Sequence, residues 1–151
     1  MGFQRIKCTD VGVYEHALTR GRVYEVLDED ERKYRIVGNH GRRVWISKHH
    51  FASIEEPILI MKTWQFDHDI DKNEFVEVTI TFDDDSKRWC VITTPQKIVE
   101  YFDNELLDLP GINMKHLIIM KTIRTEDVET MLRHLDNQNE LIEVTIPLLE
   151  S

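Results

Sequence analysis

The sequence predicts an α+β protein in two parts: a small β-barrel over residues 1–56 and an acidic domain with a mixed β-sheet and two helices over residues 57–151. Three observations lead to this prediction. The first part holds short strand patterns between turn signals, the second mixes strand and helix periods, and the acidic charge belongs almost wholly to the second. A chain of 151 residues is too short for an enzyme with separate cofactor and substrate domains.

Net charge changes sharply at Glu56/Pro57. The whole chain has 19 Lys+Arg and 28 Asp+Glu, a net charge of 19 − 28 = −9. Before this point there are 10 basic and 9 acidic residues, 10 − 9 = +1, and after it 9 and 19, 9 − 19 = −10. Because Pro57 disfavours helix at the residue before it, residues 55–57 are predicted to be a short connector.

The first part has the pattern of a small all-β fold. Turn signals occur at Arg20-Gly21 and at residues 38–41, and residues 28–31 form a predicted acidic hairpin tip. Five short strands in so few residues indicate a small barrel. The predicted strands are Arg5–Cys8, Arg22–Leu27, Lys33–Val37, Arg43–Ile46 and Phe51–Ile54.

Four stretches of this part carry a resemblance to a known fold family. They are residues 7–10, residues 18–27, residues 34–36 and Trp45. Together they resemble the small SH3-like barrels found in bacteria and their phages, over residues 4–55. The resemblance implies an SH3-like fold but no particular function, because such barrels serve many unrelated ones.

The second part follows the order β-β-β-α-β-α-β. After a first apolar strand, a hairpin is predicted from a strand over 75–82, an acidic turn over 83–86 and a strand over 87–93. Strict alternation places four apolar residues of the hairpin's first strand on one face, namely Val76, Val78, Ile80 and Phe82.

Two helices are predicted from their caps and apolar spacing. Thr94 caps the first helix, which begins at Pro95, and Thr125 caps the second. A strand over Lys115–Ile123 separates them, and a last strand covers Leu141–Leu148. The apolar positions are Ile98, Phe102 and Leu106 in the first helix and Val128, Met131, Leu132 and Leu135 in the second.

Two sequence runs occur twice in the second part. Residues 58–63 are matched by 117–122, and residues 73–80 by 139–146. The offsets differ, 117 − 58 = 59 and 139 − 73 = 66, so shared strand chemistry explains most of the likeness and a true duplication stays open. Since the first pair begins with residues that are apolar on both faces, it is predicted to supply central strands.

A second resemblance covers residues 58–148. A strand ends in Thr94-Pro95 at a helix start, and a His-Leu-Ile-Ile strand at His116–Ile119 precedes an acidic helix. These features resemble family eight of the immunity proteins from bacterial polymorphic toxin systems. The resemblance implies a non-enzymatic inhibitor that binds a cognate toxin.

Catalytic signatures are absent from the sequence. It holds no phosphate-binding Gly-rich loop and no G-x-S-x-G, H-E-x-x-H or C-x-x-C motif, so we expect no enzyme and no cofactor. Cys8 and Cys90 lie in predicted strands and are interpreted as small buried apolar side chains rather than a disulfide or a reactive thiol.

The apolar runs are too short for a membrane span. The run Leu117–Met120 falls far below the roughly 20 residues that a spanning helix needs. The start of the chain has no apolar signal core, and Ile6 stands where a myristoylation motif needs Ser or Thr. The expected location is the cytoplasm.

No metal site is predicted. Residues 67–71 begin like an EF-hand loop, but Lys72 stands where that loop needs Gly and Val78 where it needs Glu, which favours a solvated acidic loop. Adjacent residues on a strand point to opposite faces, and no acidic or Cys partner has ligand spacing, so four histidines are interpreted as surface residues: His16, His40, His49 and His50.

One basic-aromatic cluster occurs in the sequence. Strand alternation turns Val44 and Ile46 inward and Arg43 and Trp45 outward, so Trp45 would either line a groove for a peptide or plug the junction with the second part. An RNA or DNA partner is disfavoured because the adjacent part at −10 repels a polyanion. The cluster consists of Arg20, Arg22, Arg42, Arg43 and Trp45.

Two acidic turns are candidates for partner binding. Solvation of hairpin turns explains each alone, but together they would form a negative face that attracts a basic partner such as a nuclease toxin. The residues are Asp67, Asp69 and Asp71 in one turn and Asp83, Asp84 and Asp85 in the other.

The preferred hypothesis is a cytoplasmic, non-enzymatic bacterial protein that binds a protein partner through these aspartates, such as an immunity-type inhibitor of a basic toxin. The alternative is an SH3-like adaptor that binds peptide or nucleic acid through Arg20, Arg22, Arg43 and Trp45. No membrane partner is expected. The partner's identity and a homo-oligomer stay open.

Overall fold

The structure, a computed structural model, describes residues 3–103, 111 and 115–148. Helices and strands both occur in this part of the chain, which confirms an α+β protein with two helices and several sheets. The strands are β1 (Arg5–Cys8), β2 (Val23–Glu25), β3 (Asp28–Glu29), β4 (Lys33–Val37), β5 (Arg43–Ser47), β6 (Phe51–Ser53), β7 (Met61–Phe66), β8 (Val76–Phe82), β9 (Lys87–Thr93), β10 (Leu117–Ile119) and β11 (Ile146–Pro147), and the helices are α1 (Pro95–Phe102) and α2 (Thr125–Asn137).

The chain forms two compact units. The first contains the residues up to Ile60 together with Leu135–Asn139, and the second contains Met61–His134 and the residues from Glu140 onward. The domain limits inferred from charge stay a prediction. From β7 onward, the described elements follow the predicted order β-β-β-α-β-α-β.

The first unit contains two three-stranded antiparallel sheets. Their strand orders are β2-β1-β6 and β3-β4-β5. β1 and β4 have the bounds that the sequence predicted. Among the described residues no strand pairing joins the two sheets, so a closed barrel is not shown.

The predicted strand Arg22–Leu27 divides between the two sheets. Within it, β2 ends at Glu25, and the Val26 N–H still donates to the Gln4 carbonyl at 2.8 Å, on the side of β1. The next N–H, of Leu27, donates to the Arg35 carbonyl at 2.8 Å, on the side of β4. The chain therefore passes from one sheet to the other between these two residues.

Apolar side chains from both sheets make up the core of the first unit. In β4 and β5, Ile36 and Ile46 are fully buried while their neighbours in sequence are more exposed, as alternation requires. The core residues are Ile6, Cys8, Val11, Leu18, Tyr24, Val26, Ile36, Ile46 and Phe51.

The second unit is built on one mixed sheet. Its order is β10-β9-β8-β7, with β7, β8 and β9 antiparallel and β10 parallel to β9, and β11 pairs with the other end of β9. The predicted apolar face of β8 is confirmed, because Val76, Val78, Ile80 and Phe82 are all fully buried.

The prediction of two central apolar strands is wrong. In the described sheet β7 and β10 lie at the two ends of the strand order. β7 begins only at Met61, because the preceding residues belong to the first unit, where the Ile60 side chain packs directly over Gly21. β10 shortens to Leu117–Ile119, and Ile119 is 57% exposed.

Helix α1 begins where the sequence predicts. The Thr94 hydroxyl accepts the Lys97 N–H at 3.1 Å, and Pro95 is the first residue of α1. On α1, Ile98 is half-buried and Phe102 is 42% exposed, while Leu106 lies outside the described residues. Neither helix of the described chain has the length and apolar character that crossing a membrane requires.

Thr125, predicted as the cap of α2, is instead its first residue, because the Arg124 carbonyl accepts the Val128 N–H at 2.9 Å. The helix packs an apolar stripe. Val128, Leu132 and Leu135 are buried, as the spacing predicts. Beside β7, the Arg133 guanidinium donates to the Met61 carbonyl at 2.9 Å, and the Trp64 indole N–H donates to the Glu129 carboxylate.

The prediction of a last strand over Leu141–Leu148 is largely wrong, because only Ile146–Pro147 pairs, with β9. Upstream of it, the Thr145 hydroxyl donates back to the Leu141 carbonyl at 2.8 Å, which closes a turn. The Arg88 guanidinium donates to the carbonyls of Ile142 and Thr145 at 3.0 and 2.8 Å. These carbonyls are therefore directed at a side chain instead of a neighbouring strand.

Candidate functional site

The outer face of the β3-β4-β5 sheet exposes apolar and basic side chains together. As predicted, Arg43 and Trp45 point outward from β5 while Ile46 is fully buried. Trp45 is 39% exposed, and Val37, which lies opposite Arg43, is 43% exposed. Arg35, Val37, Arg43 and Trp45 together form the Trp45 face.

Arg35 packs against Trp45 across the two strands. The two residues lie directly opposite each other, and the Arg35 guanidinium carbon is 6.0 Å from the centre of the Trp45 ring. At this distance the cation contributes a weak attraction to the ring and covers part of its face. The Arg35 Nε is buried and has no hydrogen-bond partner among the described residues.

Arg35 and Val37 also belong to this face, although they were not among the predicted site residues. Strand alternation in Lys33–Val37 contained the signal, since it places residues 33, 35 and 37 on one side and the buried Ile36 on the other. Alternation alone does not show that the outward residues of β4 and β5 share one surface. That follows only from the antiparallel pairing of the two strands, which the tertiary structure reveals.

A polar network lies beside the turn that joins β4 to β5. The Asn39 side-chain oxygen accepts from the Arg22 guanidinium at 2.8 Å and from the Tyr24 hydroxyl at 2.9 Å. The rings of His16 and His40 lie 5.5 Å apart, centre to centre. Arg22 is exposed and reaches this turn, so it lies near the end of β5 that carries Arg43.

Arg20 does not belong to the exposed cluster, which corrects its assignment as a ligand-binding residue. It is 6% exposed, and its Nε donates to the Thr9 carbonyl at 2.9 Å. One terminal nitrogen donates to the Leu59 carbonyl and pairs with the Asp136 carboxylate at 3.2 Å, and the other donates to Asn139 at 2.9 Å. The guanidinium therefore organises the interior of the first unit.

The two acidic turns do not form one face. Residues 67–75 precede β8 and residues 83–86 follow it, so the turns lie at opposite ends of a seven-residue strand. At about 3.3 Å per residue this separates them by about 20 Å. A joint negative surface made of all six aspartates is therefore not supported.

Several of these aspartates have local structural roles. In the first turn Asp67 accepts the Thr79 hydroxyl at 2.7 Å, and Asp69 accepts the Asp71 N–H at 2.9 Å. In the second turn hydrogen bonds from Ser86, first from its side chain, hold the pKa of Asp84 below its usual value.

Asp85 also supports the second turn. It adopts the left-handed conformation with φ 67° and accepts the Lys62 ammonium at 3.0 Å. Its conformation and ion pair fit the interpretation of a solvated hairpin turn.

The buried thiols and imidazole are structural. Cys8 and Cys90 are free and fully buried, as predicted, and burial raises the pKa of their thiols to about 11 and about 12. His50 is 7% exposed and hydrogen-bonds the Asp10 carbonyl at 2.7 Å, so its interpretation as a surface residue is wrong. In the described chain no three potential ligands among His, Cys, Asp and Glu converge as a metal site.

A cavity of about 690 Å³ opens at the start of α1 in the second unit. The Lys97 ammonium at its wall is already bound to the carbonyls of Ile70 and Asn73, at 2.7 Å each. The charged lining residues are Lys97, Lys121, Asp71 and Glu100. Since these two cations and two anions balance, the cavity shows no preference for a charged ligand.

No protein-family model, curated protein or solved structure matches this chain. The candidate site is therefore defined by its geometry alone.

Proposed function

We propose that this chain is a non-catalytic, cytoplasmic protein that binds a protein partner through the Trp45 face. One observation carries the proposal: Trp45 and Val37 expose apolar surface next to Arg43, whose side chain has no ion-pair partner among the described residues. Aromatic and Arg side chains are enriched in protein interfaces, where few such residues contribute most of the binding energy.

The proposal includes an SH3-like arrangement of the first unit. Its support is a pair of three-stranded sheets over one core, with a chain that leaves one sheet at Val26 and enters the other at Leu27. The binding function itself rests on the exposed residues rather than on the fold.

Charge supports a protein partner over nucleic acid. The first unit has 10 Lys+Arg and 10 Asp+Glu, 10 − 10 = 0, and the second has 9 and 18, 9 − 18 = −9. A duplex would be attracted only to a few arginines and repelled by the rest of the chain. Partial coverage of the Trp45 ring by Arg35 also leaves less ring surface for stacking on a base.

The experiment that tests this proposal is site-specific photo-crosslinking in the native host. A benzophenone amino acid at Val37 is expected to capture one protein, and the Trp45→Ala change in the same chain is expected to abolish the product. The matched control is Val23, a valine in β2 that is 41% exposed. Equal products from both positions, or a product that disappears with nuclease, would refute the proposal.

A second candidate function is the immunity-type inhibitor of a basic toxin, for which the excess of nine negative charges in the second unit is the favouring observation. Because the two acidic turns lie at opposite ends of β8, only one of them would contact such a partner. Changing Asp67, Asp69 and Asp71 to Asn, or separately Asp83, Asp84 and Asp85, should weaken capture of the partner in one case only. No effect from either set would remove this candidate.

A further inference from the structure

The hydrogen-bond register of β4 and β5 leaves one edge of β5 open. The Gly38 N–H donates to the Arg42 carbonyl at 2.9 Å, and the Lys48 N–H donates to the Arg32 carbonyl at 2.9 Å. In an antiparallel pair every second residue is bonded to the partner strand, so Val44 and Ile46 are the bonded residues between these two points.

The intervening residues of β5 therefore direct their backbone groups away from β4. These are Arg43, Trp45 and Ser47, and β5 pairs with no other strand in the described chain. The Ser47 carbonyl caps a short 3-10 helix over Lys48–His50, whereas no hydrogen bond joins the backbone of Arg43 or Trp45 to another described residue. The edge therefore presents the N–H groups of Arg43, Trp45 and Ser47 and the C=O groups of Arg43 and Trp45, which are the template for adding a strand.

We propose that an extended acidic segment of the partner protein adds to this edge as an antiparallel strand. This inference rests on the proposed function, because it names how the partner engages the Trp45 face. The partner residue that pairs with Trp45 would exchange two backbone hydrogen bonds with it and place its own side chain beside the indole ring.

Charge and side-chain direction define the partner's sequence. A partner residue two positions away pairs with Arg43 and lies on the same face, so an acidic side chain there would meet an exposed guanidinium. An apolar, β-branched residue suits the position beside Trp45 and near the exposed Val37. The expected pattern is therefore an acidic and an apolar residue separated by one position.

The β3-β4-β5 sheet also has an acidic end, which lies away from Arg43. Asp28, Glu29, Asp30 and Glu31 surround the hairpin between β3 and β4, and β4 runs from that hairpin to the turn beside Arg42 and Arg43. Five residues of strand separate the two ends by about 16 Å. Although the first unit has no net charge, the end of this sheet that carries Arg42 and Arg43 is locally positive and attracts an acidic segment.

The test is a binding titration of the full chain with the capped heptapeptide Thr-Glu-Thr-Val-Thr-Glu-Thr, followed by NMR. Amide hydrogen exchange of Arg43, Trp45 and Ser47 should slow about tenfold or more at saturation, because new backbone bonds protect them. The amides of Val44 and Ile46, already bonded to β4, should change little. Unchanged exchange at the three edge amides would overturn strand addition.

Peptide variants separate backbone pairing from side-chain contact. N-methylation of the central Val removes the donor to Trp45 and should weaken binding about fivefold or more, whereas N-methylation of the next Thr, whose N–H points away, should have little effect. Replacing both Glu by Lys should also abolish binding. Equal affinities across these peptides, or no binding of the parent peptide, would refute the proposal.

Two variants of the protein test whether Arg43 contacts the peptide. Arg43→Ala should weaken peptide binding, and Arg5→Ala, an exposed arginine that likewise begins a strand, should not. If the free chain forms a dimer in which the edge amides are protected, the occupant of the edge is a second copy of the chain and the proposal is wrong. If oligothymidylate binds and the peptide does not, the occupant is a nucleic acid and the proposal is likewise wrong. Crosslinking at Val37 without edge protection would leave the proposed function intact and reject this mode.

Discussion

At the scale of single residues, burial decides what a charged side chain does. Arg20 and Arg22 are two positions apart, and the sequence predicts that both belong to one exposed cluster. In the structure Arg20 is 6% exposed and pairs with Asp136, while Arg22 lies at the surface against Asn39. Nothing in the local pattern distinguishes them, because the partners of Arg20 are 11 to 119 residues away along the chain.

Replacing Arg20 with Met is expected to destabilise the chain by about 3–5 kcal/mol, because the change removes the guanidinium that pairs with the buried Asp136 carboxylate. Urea unfolding of the full chain measures this loss. The double change Arg20→Met with Asp136→Leu should recover part of it, since the buried carboxylate is removed as well.

The matched control is Arg22→Met. Its exposed guanidinium contributes one surface hydrogen bond, so the free energy of unfolding should change by about 1 kcal/mol or less. A similar loss for both variants would show that Arg20 has no special role in the interior.

At the scale of elements, local signals were sufficient where they act within a few residues. The cap and first residue of α1 are those that the Thr94-Pro95 pair predicts, because the cap bond spans only three residues. The apolar face of β8 is also correct, since alternation determines it once one face is buried.

Removing the α1 cap tests this local account. Thr94→Ala should lower the free energy of unfolding by about 1 kcal/mol, because the Lys97 N–H loses its acceptor. Thr94→Ser keeps an acceptor oxygen and should restore most of the stability. Thermal unfolding measures both, and equal melting temperatures for the Ala variant and the parent would contradict the cap's contribution.

Local sequence patterns did not predict the structure of two similar segments that contact different parts of the chain. Residues 73–80 lead into the seven-residue strand β8, whereas residues 139–146 are mostly turn and end in a two-residue strand. The second run begins at Asn139, which has φ 59°, and its carbonyls are bound by Arg88. The sequence likeness therefore does not correspond to a repeated structure.

At the scale of the whole molecule, buried thiols link stability to alkaline pH. Burial raises the pKa of Cys8 from 9.0 to about 11 and that of Cys90 from 9.0 to about 12. The folded state keeps both protons at a pH where the unfolded chain has released them. The thiols therefore contribute stability that is fully present below pH 9 and is lost as the pH rises toward 11–12.

Unfolding free energies measured in urea should fall as the pH rises above 9, and the fall should be shallower in the double variant Cys8→Ala, Cys90→Ala. Both thiols of the folded parent should also resist a thiol reagent at pH 8 and react only after unfolding. Rapid labelling of the folded chain, or an identical pH dependence for the variant, would contradict this assignment.

The sequence by itself determined the α+β class, the order of the elements from β7 onward, the start of α1 and the outward direction of Arg43 and Trp45. Periodicity and capping report on neighbours within a few residues, so these features follow without knowledge of the fold. Only the tertiary structure decided that Arg20 is buried, that the acidic turns lie at opposite ends of β8 and that the edge of β5 is open. Each of these depends on which distant segments pair, and a single sequence pattern does not specify that pairing.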